Sequence, residues 1–286
     1  MTVQVIAVPY DSALHNFRMG RGPTHLLEDG LATLIERRGQ ALRVQTIEVD
    51  GSRPAVEIRT AFEIARLLAE RVRSAREVGA FPLVLAGNCI TSLGTVAGLG
   101  ATDVAVIWFD AHGDFNTPET TRSGFLDGMA LAALTGRCWS SLSATIPGFS
   151  PLPDARAVLI AARDLDPAEA EALERSAIRQ VGVSSIRGSG ISRALAPILE
   201  TLRGEVRRVY LHIDLDVLDP SEGRANEFAA PVGLTVAEVC KAIETVGEQL
   251  TIEAGAITAY DPAQDADGRA SRAALRIVET LLQSGR

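Results

Sequence analysis

Between Val104 and Gly136 the chain reads VAVIWFDAHGDFNTPETTRSGFLDGMALAALTG, and this stretch limits the possible folds more than any other. Val104 to Phe109 is a continuous apolar run, the pattern of a strand buried on both faces of a parallel sheet. Asp110, His112 and Asp114 follow at once. On an extended backbone, side chains two residues apart point to one side, so two carboxylates and an imidazole are expected to converge at the strand's C-terminal edge. That is the outline of a divalent-metal site.

A second run, Val209 to Pro220, repeats the pattern with His212, Asp214 and Asp216 on one face and Leu211, Ile213, Leu215 and Val217 on the other. Asp is seldom buried without a partner, and closely spaced carboxylates in an apolar run repel each other unless a cation lies between them. The Asp and His of two strand ends suffice for two metals. His212, one step deeper in its strand, is expected behind the ligands or in the core.

Composition narrows the function classes. A chain of 286 residues with 47% apolar content can bury a full core, and its length fits one large α/β domain spanning 1–286. The formal charge of -8 argues against nucleic acid or an anionic membrane as partner, because both require a basic footprint. There is no apolar run of about 18 residues and no basic, cleavable leader, so a cytoplasmic protein without a membrane span is expected. Cys89, Cys138 and Cys240 are widely spaced and odd in number, which does not suggest a disulfide framework.

Along the chain, strands are expected at 3–8, 44–49, 81–86, 104–109, 157–162, 209–217 and 256–260, with a short strand or turn near 179–183. Helices are expected at 23–37, 56–78, 192–203, 236–246 and 270–283. This alternation predicts a three-layer α/β fold around a doubly wound, mostly parallel sheet. Ligands in such sheets gather where strands give way to loops, which draws in Gly87 to Ser92 and the long loop 220–234.

Asp110-Ala-His112-Gly-Asp114-Phe-Asn116-Thr-Pro, Ser123-Gly124 and Asp214-Leu-Asp216-Val-Leu-Asp219-Pro220 resemble the signatures of the arginase/agmatinase/formimidoylglutamase family, the ureohydrolases, over nearly the whole chain. The resemblance implies an arginase-like fold, a cofactor of two Mn(2+) per chain and hydrolysis of a guanidino or formimino carbon–nitrogen bond. It also implies a small amino-acid substrate and a homo-oligomer, trimer or hexamer. By the motif match Asp110, His112, Asp114, Asp214 and Asp216 are metal ligands, Asp114 also standing among the catalytic residues. Carboxylate-rich donors with imidazole independently suit Mn(2+), and paired dications lower the pKa of water.

Where the family turn reads Gly-Gly-Asp-His-Ser, this chain has Ala86-Gly87-Asn88-Cys89-Ile90, so Cys89 takes the place of a ligand His. A thiolate is a competent but softer ligand, and Cys89 is either a ligand, a weak ligand or a small buried residue. A family subgroup resembling hydroxyarginine amidinohydrolases also carries Cys there. Asn116 and Ser123 match residues that hold a substrate α-carboxylate. Asp166 and Glu169, in Arg163-Asp-Leu-Asp-Pro-Ala-Glu169, match those that hold its α-amino group. The same two acids also suit a helix N-terminus.

Two departures bear on chemistry. The proton-shuttling His of the family's Asn-x-His-Gly segment is replaced by Asp127 in Phe125-Leu-Asp127-Gly128, and a carboxylate of ordinary pKa is a poor acid near neutrality. The family's guanidinium-anchoring Glu aligns with Ala259, leaving Asp127, Glu119 or Glu227 to neutralise a guanidinium. A less basic head, such as an N-hydroxyguanidine, needs that anion less. The expected function is an amidinohydrolase of a guanidino-type amino acid such as arginine or N-hydroxyarginine. The alternatives are a formimino or ureido amino-acid hydrolase, and an inactive binding module of the same fold.

Overall fold

The computed structural model describes residues 1–52 and 55–285. Eight strands form one sheet: β1 Thr2–Val8, β2 Ala41–Thr46, β3 Ala80–Ala86, β4 Val104–Phe109, β5 Ala157–Ile160, β6 Arg179–Val181, β7 Arg208–Asp214 and β8 Thr251–Thr258. Every pairing within it is parallel, in the order β2-β1-β3-β8-β7-β4-β5-β6.

Strands buried on both faces account for the continuous apolar runs. In β4, Ala105, Ile107 and Phe109 enter one core, while Val104, Val106 and Trp108 enter the other. The first core is closed by helices α5 Ile191–Glu205, α6 Val236–Gly247 and α7 Arg269–Ser284, through residues such as Leu199, Ile243 and Ile277. The second is closed by α1 Glu57–Glu77, α2 Ser92–Leu99, α3 Ala130–Leu134 and α4 Pro167–Glu174, through Phe62, Leu93, Leu131 and Leu173. Each such side chain contributes roughly 1.5–3 kcal/mol when fully buried, so both layers are needed to hold the sheet. The three-layer, doubly wound fold is therefore present.

Strand order fixes the site. Strands β3, β8, β7 and β4 are consecutive at the centre of the sheet. Their C-terminal ends, Ala86, Thr258, Asp214 and Phe109, release the loops that carry the chemistry, as expected where a doubly wound sheet changes direction.

Several boundaries differ from expectation. The second strand lies at Ala41–Thr46 rather than 44–49, an exposed edge where burial imposes little register. The helix expected at 23–37 is interrupted by Gly30 at φ 117°, which separates Gly22–Leu26 from Ala32–Arg37. The last strand starts at Thr251 and ends at Thr258, and β5 stops at Ile160. Most consequential, β7 ends at Asp214, and Leu215–Val217 form a turn of 3-10 helix in which the Asp214 side chain accepts the Asp216 N–H at 2.9 Å. Asp110 to Asp114 likewise lie in a loop beyond β4, with Asp114 left-handed at φ 50°. The carboxylates converge through loop geometry, not through strand alternation.

Candidate metal centre and substrate pocket

Hydrogen bonds fix each carboxylate before any ligand is considered. Asp110 Oδ2 accepts the Trp108 indole N–H at 3.0 Å and its Oδ1 accepts the His112 backbone N–H at 2.7 Å. Asp216 Oδ1 accepts the Ala111 N–H at 3.1 Å, which ties the two acidic loops together. His112 Nδ1 lies 3.3 Å from both Asp110 Oδ1 and Asp216 Oδ2. The Cys89 thiol donates to Asp214 Oδ2 at 3.1 Å and lies 3.2 Å from the Thr258 hydroxyl.

Two donor groups result among the described residues: Cys89, Asp110 and Asp214, and Asp110, His112 and Asp216, each with ligand atoms within 4.8 Å of one another. Asp110 belongs to both, the arrangement of a ligand between two ions. Asp114 falls outside these groups, but its Oδ2 is buried and has no hydrogen-bond partner. Burial and neighbouring carboxylates raise the pKa of Asp110, and raise those of Asp114 and Asp214 strongly. Burial and the same acids likewise push the Cys89 thiol well up. Burial works against a charged His112, yet Asp216 and Asp110 hold it up at about 12. Without a counter-charge Asp110, Asp114 and Asp214 therefore stay protonated, and ionising them together requires cations. An orphaned buried carboxylate oxygen and two oxygen-rich clusters sharing Asp110 fit a pair of divalent cations.

His212 is not among the donors. It is fully buried, stacked on Trp108 with centroids 3.6 Å apart, and its Nδ1 is 2.9 Å from the Tyr210 hydroxyl. Burial lowers its pKa to about 3, so it stays neutral as a support for the site.

The cations would lie at the base of a pocket of about 700 Å³ lined by Cys89, His112, Asp114, Asp214 and Asp216. Asn116, Ser123, Asp127, Asp166, Glu169 and Ala259 line it too, so the residues expected to hold the substrate's α-groups and to shuttle its proton border one cavity. The polar wall is prearranged: Asn116 Nδ2 donates to Asp166 Oδ2 at 3.3 Å, and the Thr120 hydroxyl donates to Asn116 Oδ1 at 3.0 Å. Glu169 is buried and engaged. It accepts the Phe115 N–H at 2.8 Å and the Asp166 N–H at 3.2 Å, closing a capping box with Asp166 at the start of α4. A Cβ at Gly113 would meet Glu169 Oε1 at 2.7 Å, so a larger residue there would have to displace this hydrogen-bonded carboxylate.

The opposite wall carries the departures. Ala259, at φ 59°, leaves no anion, and Asn226 fills the space behind by donating to the Ala259 carbonyl at 2.9 Å and Asp216 Oδ2 at 3.3 Å. Of the acids considered as replacements, Glu119 is exposed and outside the pocket lining, and Glu227 is paired with Arg18. Asp127 remains. Its Oδ1 accepts the Ile90 N–H at 2.8 Å and its Oδ2 the Asn88 amide at 3.1 Å. Burial nevertheless raises its pKa to about 8, so it is not the carboxylate of ordinary pKa expected from sequence.

Sequence reasoning did not single out Arg163, Asn226 or Thr258. Arg163 donates to the carbonyls of Asp216, Leu218, Ala230 and Pro231 at 2.8, 3.3, 2.9 and 3.0 Å, and so binds the second acidic loop to loop 220–234. A lone Arg directly after an apolar strand was the available signal.

The Arginase family model matches residues 1–283. Arginase from Bacillus caldovelox is 29% identical over 98% of this chain and 97% of its own length, and arginase from Bacillus subtilis is 28% identical over the same shares. The crystal structure of arginase from Bacillus cereus superposes with a TM-score of 0.89 at 28% identity, covering 98% of both chains. Formimidoylglutamase from Bacillus subtilis shares the fold, with a TM-score of 0.78 at 19% identity. With this fold and this cluster of carboxylates, the chain belongs to the arginase family.

Proposed function

We propose that this chain is a manganese-dependent amidinohydrolase that adds water across a linear C–N bond of a guanidino-type amino acid, favouring a weakly basic head such as that of N-hydroxyarginine over arginine. The observation that carries the reading is the pairing of a full carboxylate set with a neutral head-group wall, Ala259 backed by Asn226. A protonated guanidinium gains little from such a wall, whereas a neutral head loses nothing there.

Cys89, Asp110, His112, Asp114, Asp214 and Asp216 would hold the two Mn(2+), which when bound supply an acidified water and polarise the carbon under attack. The residues of the pocket place the substrate. Asn116 and Ser123 receive the α-carboxylate, and Asp166 receives the α-ammonium, with Glu169 holding Asp166 and the Asp114 loop in place behind it. Asp127 gives a proton to the departing amine, so that the C–N bond breaks to release ornithine and a urea or hydroxyurea. Burial outweighs the two hydrogen bonds it accepts and raises its pKa to about 8, so it can carry a proton near neutrality.

The same neutral wall also favours formimino or ureido amino acids, which are the second reading. Elemental analysis of purified protein, with ornithine release from arginine and N-hydroxyarginine after Mn(2+) addition, tests the proposal. Two metals per chain with turnover of N-hydroxyarginine are expected. Two metals with turnover only of formimino or ureido substrates would transfer the assignment to the second reading, and no metal uptake would end the enzyme reading.

A further inference from the structure

Asn88 and Asp127, which by the resemblance stand where the family motifs carry an Asp and a His, are 39 residues apart in sequence. In the fold they touch: Asn88 Nδ2 donates to Asp127 Oδ2 at 3.1 Å and lies 3.4 Å from Asp11 Oδ1. Asn88 Oδ1 is engaged as well, accepting the Ser12 N–H at 3.0 Å. The turn lies close against the first loop, where a Cβ at Gly87 would meet the Tyr10 carbonyl oxygen at 2.2 Å.

We infer that Asn88 and Asp127 are an energetically coupled pair, and that Asn88 is the positioning residue that aims the Asp127 carboxyl into the pocket. An Asp at position 88 would put its carboxylate within hydrogen-bond distance of two other buried carboxylates, Asp11 and Asp127, an arrangement that like-charge repulsion opposes. Asn88 instead offers Asp127 an amide donor from the turn. Asp11, fully buried with Arg18 Nε 3.6 Å away, anchors the other side of that amide.

The inference rests on the proposed function only for its kinetic arm, and a melting arm stands without it. In a double-mutant cycle, Asn88→Asp is expected to lower the melting temperature by several degrees. Asn88→Asp/Asp127→Asn is expected to regain part of that loss, because donor and acceptor are merely exchanged, while Asp11 still faces an acid. No recovery in the double variant would overturn the coupling. In the kinetic arm, Asn88→Ala, which introduces no charge, lowers kcat about tenfold with KM within about twofold, the loss of one hydrogen bond to an ionisable partner. An unchanged kcat in Asn88→Ala would overturn the positioning role. Absence of turnover in the unmodified protein would defeat the proposed function, and the melting cycle would still decide on the pair.

Discussion

The two walls of the pocket are built on different terms. On one, the loops after β4 and β7 hold Asp110, His112, Asp214 and Asp216 through mutual hydrogen bonds, with Arg163 fastening the second loop from behind. On the other, Cys89, Asp127 and Ala259 stand where the family motifs place two histidines and a glutamate, and neutral donors from Asn88 and Asn226 surround them. The first wall supplies every member of the two candidate donor groups except Cys89, which stands on the second. The second lacks the imidazoles and the glutamate of the family motifs, yet it is closely hydrogen-bonded around Asp127 and Ala259.

The comparison breaks first if the acidic wall is dispensable. Asp110 serves both donor groups, so Asp110→Asn is expected to empty both sites and to lower turnover more than about 100-fold, beyond what loss of an outer hydrogen bond causes. Elemental analysis beside steady-state rates would check this. Next in size, Asp127→Asn should reduce kcat by about 10²–10⁴-fold, the range for loss of a general acid, while metal content stays at the unmodified level. A drop in metal content instead would move Asp127 to the acidic wall.

Smaller effects sharpen the contrast. Ala259→Glu restores an anion to the neutral wall and is expected to shift the kcat/KM ratio toward arginine by about tenfold, equivalent to ~1.4 kcal/mol. Competition between the two substrates would read the shift directly. The smallest change is expected at the mouth, where Arg18 pairs with Glu227 and lies over the Phe228 ring at 5.6 Å. Arg18→Ala should raise KM about threefold and leave kcat unchanged, since partly exposed ion pairs contribute only about 0–1 kcal/mol. Initial rates across substrate concentrations suffice for this test.

How far the sequence discloses these walls follows from their construction. The buried strands are legible as apolar runs, and the acidic residues are legible because several carboxylates directly after such runs repel one another unless a cation holds them. The means of their convergence is not legible: the side-chain bond from Asp216 N–H to Asp214 ends β7 early, and strand periodicity carries no trace of it. Asp127 is visible as a replacement, but its raised pKa depends on burial contributed by residues distant in sequence. By charge alone Glu119 and Glu227 are equivalent to Asp127, and only the fold turns one outward and pairs the other. The bounds of edge strand β2 escape a reading from sequence because its exposed residues carry no burial pattern.

The most direct test of the central claim is the ratio of kcat/KM for N-hydroxyarginine to that for arginine, measured in competition with the manganese-loaded protein. A neutral head-group wall predicts a ratio of about ten or more, the worth of one unmade charge contact. A ratio at or below one would contradict the account.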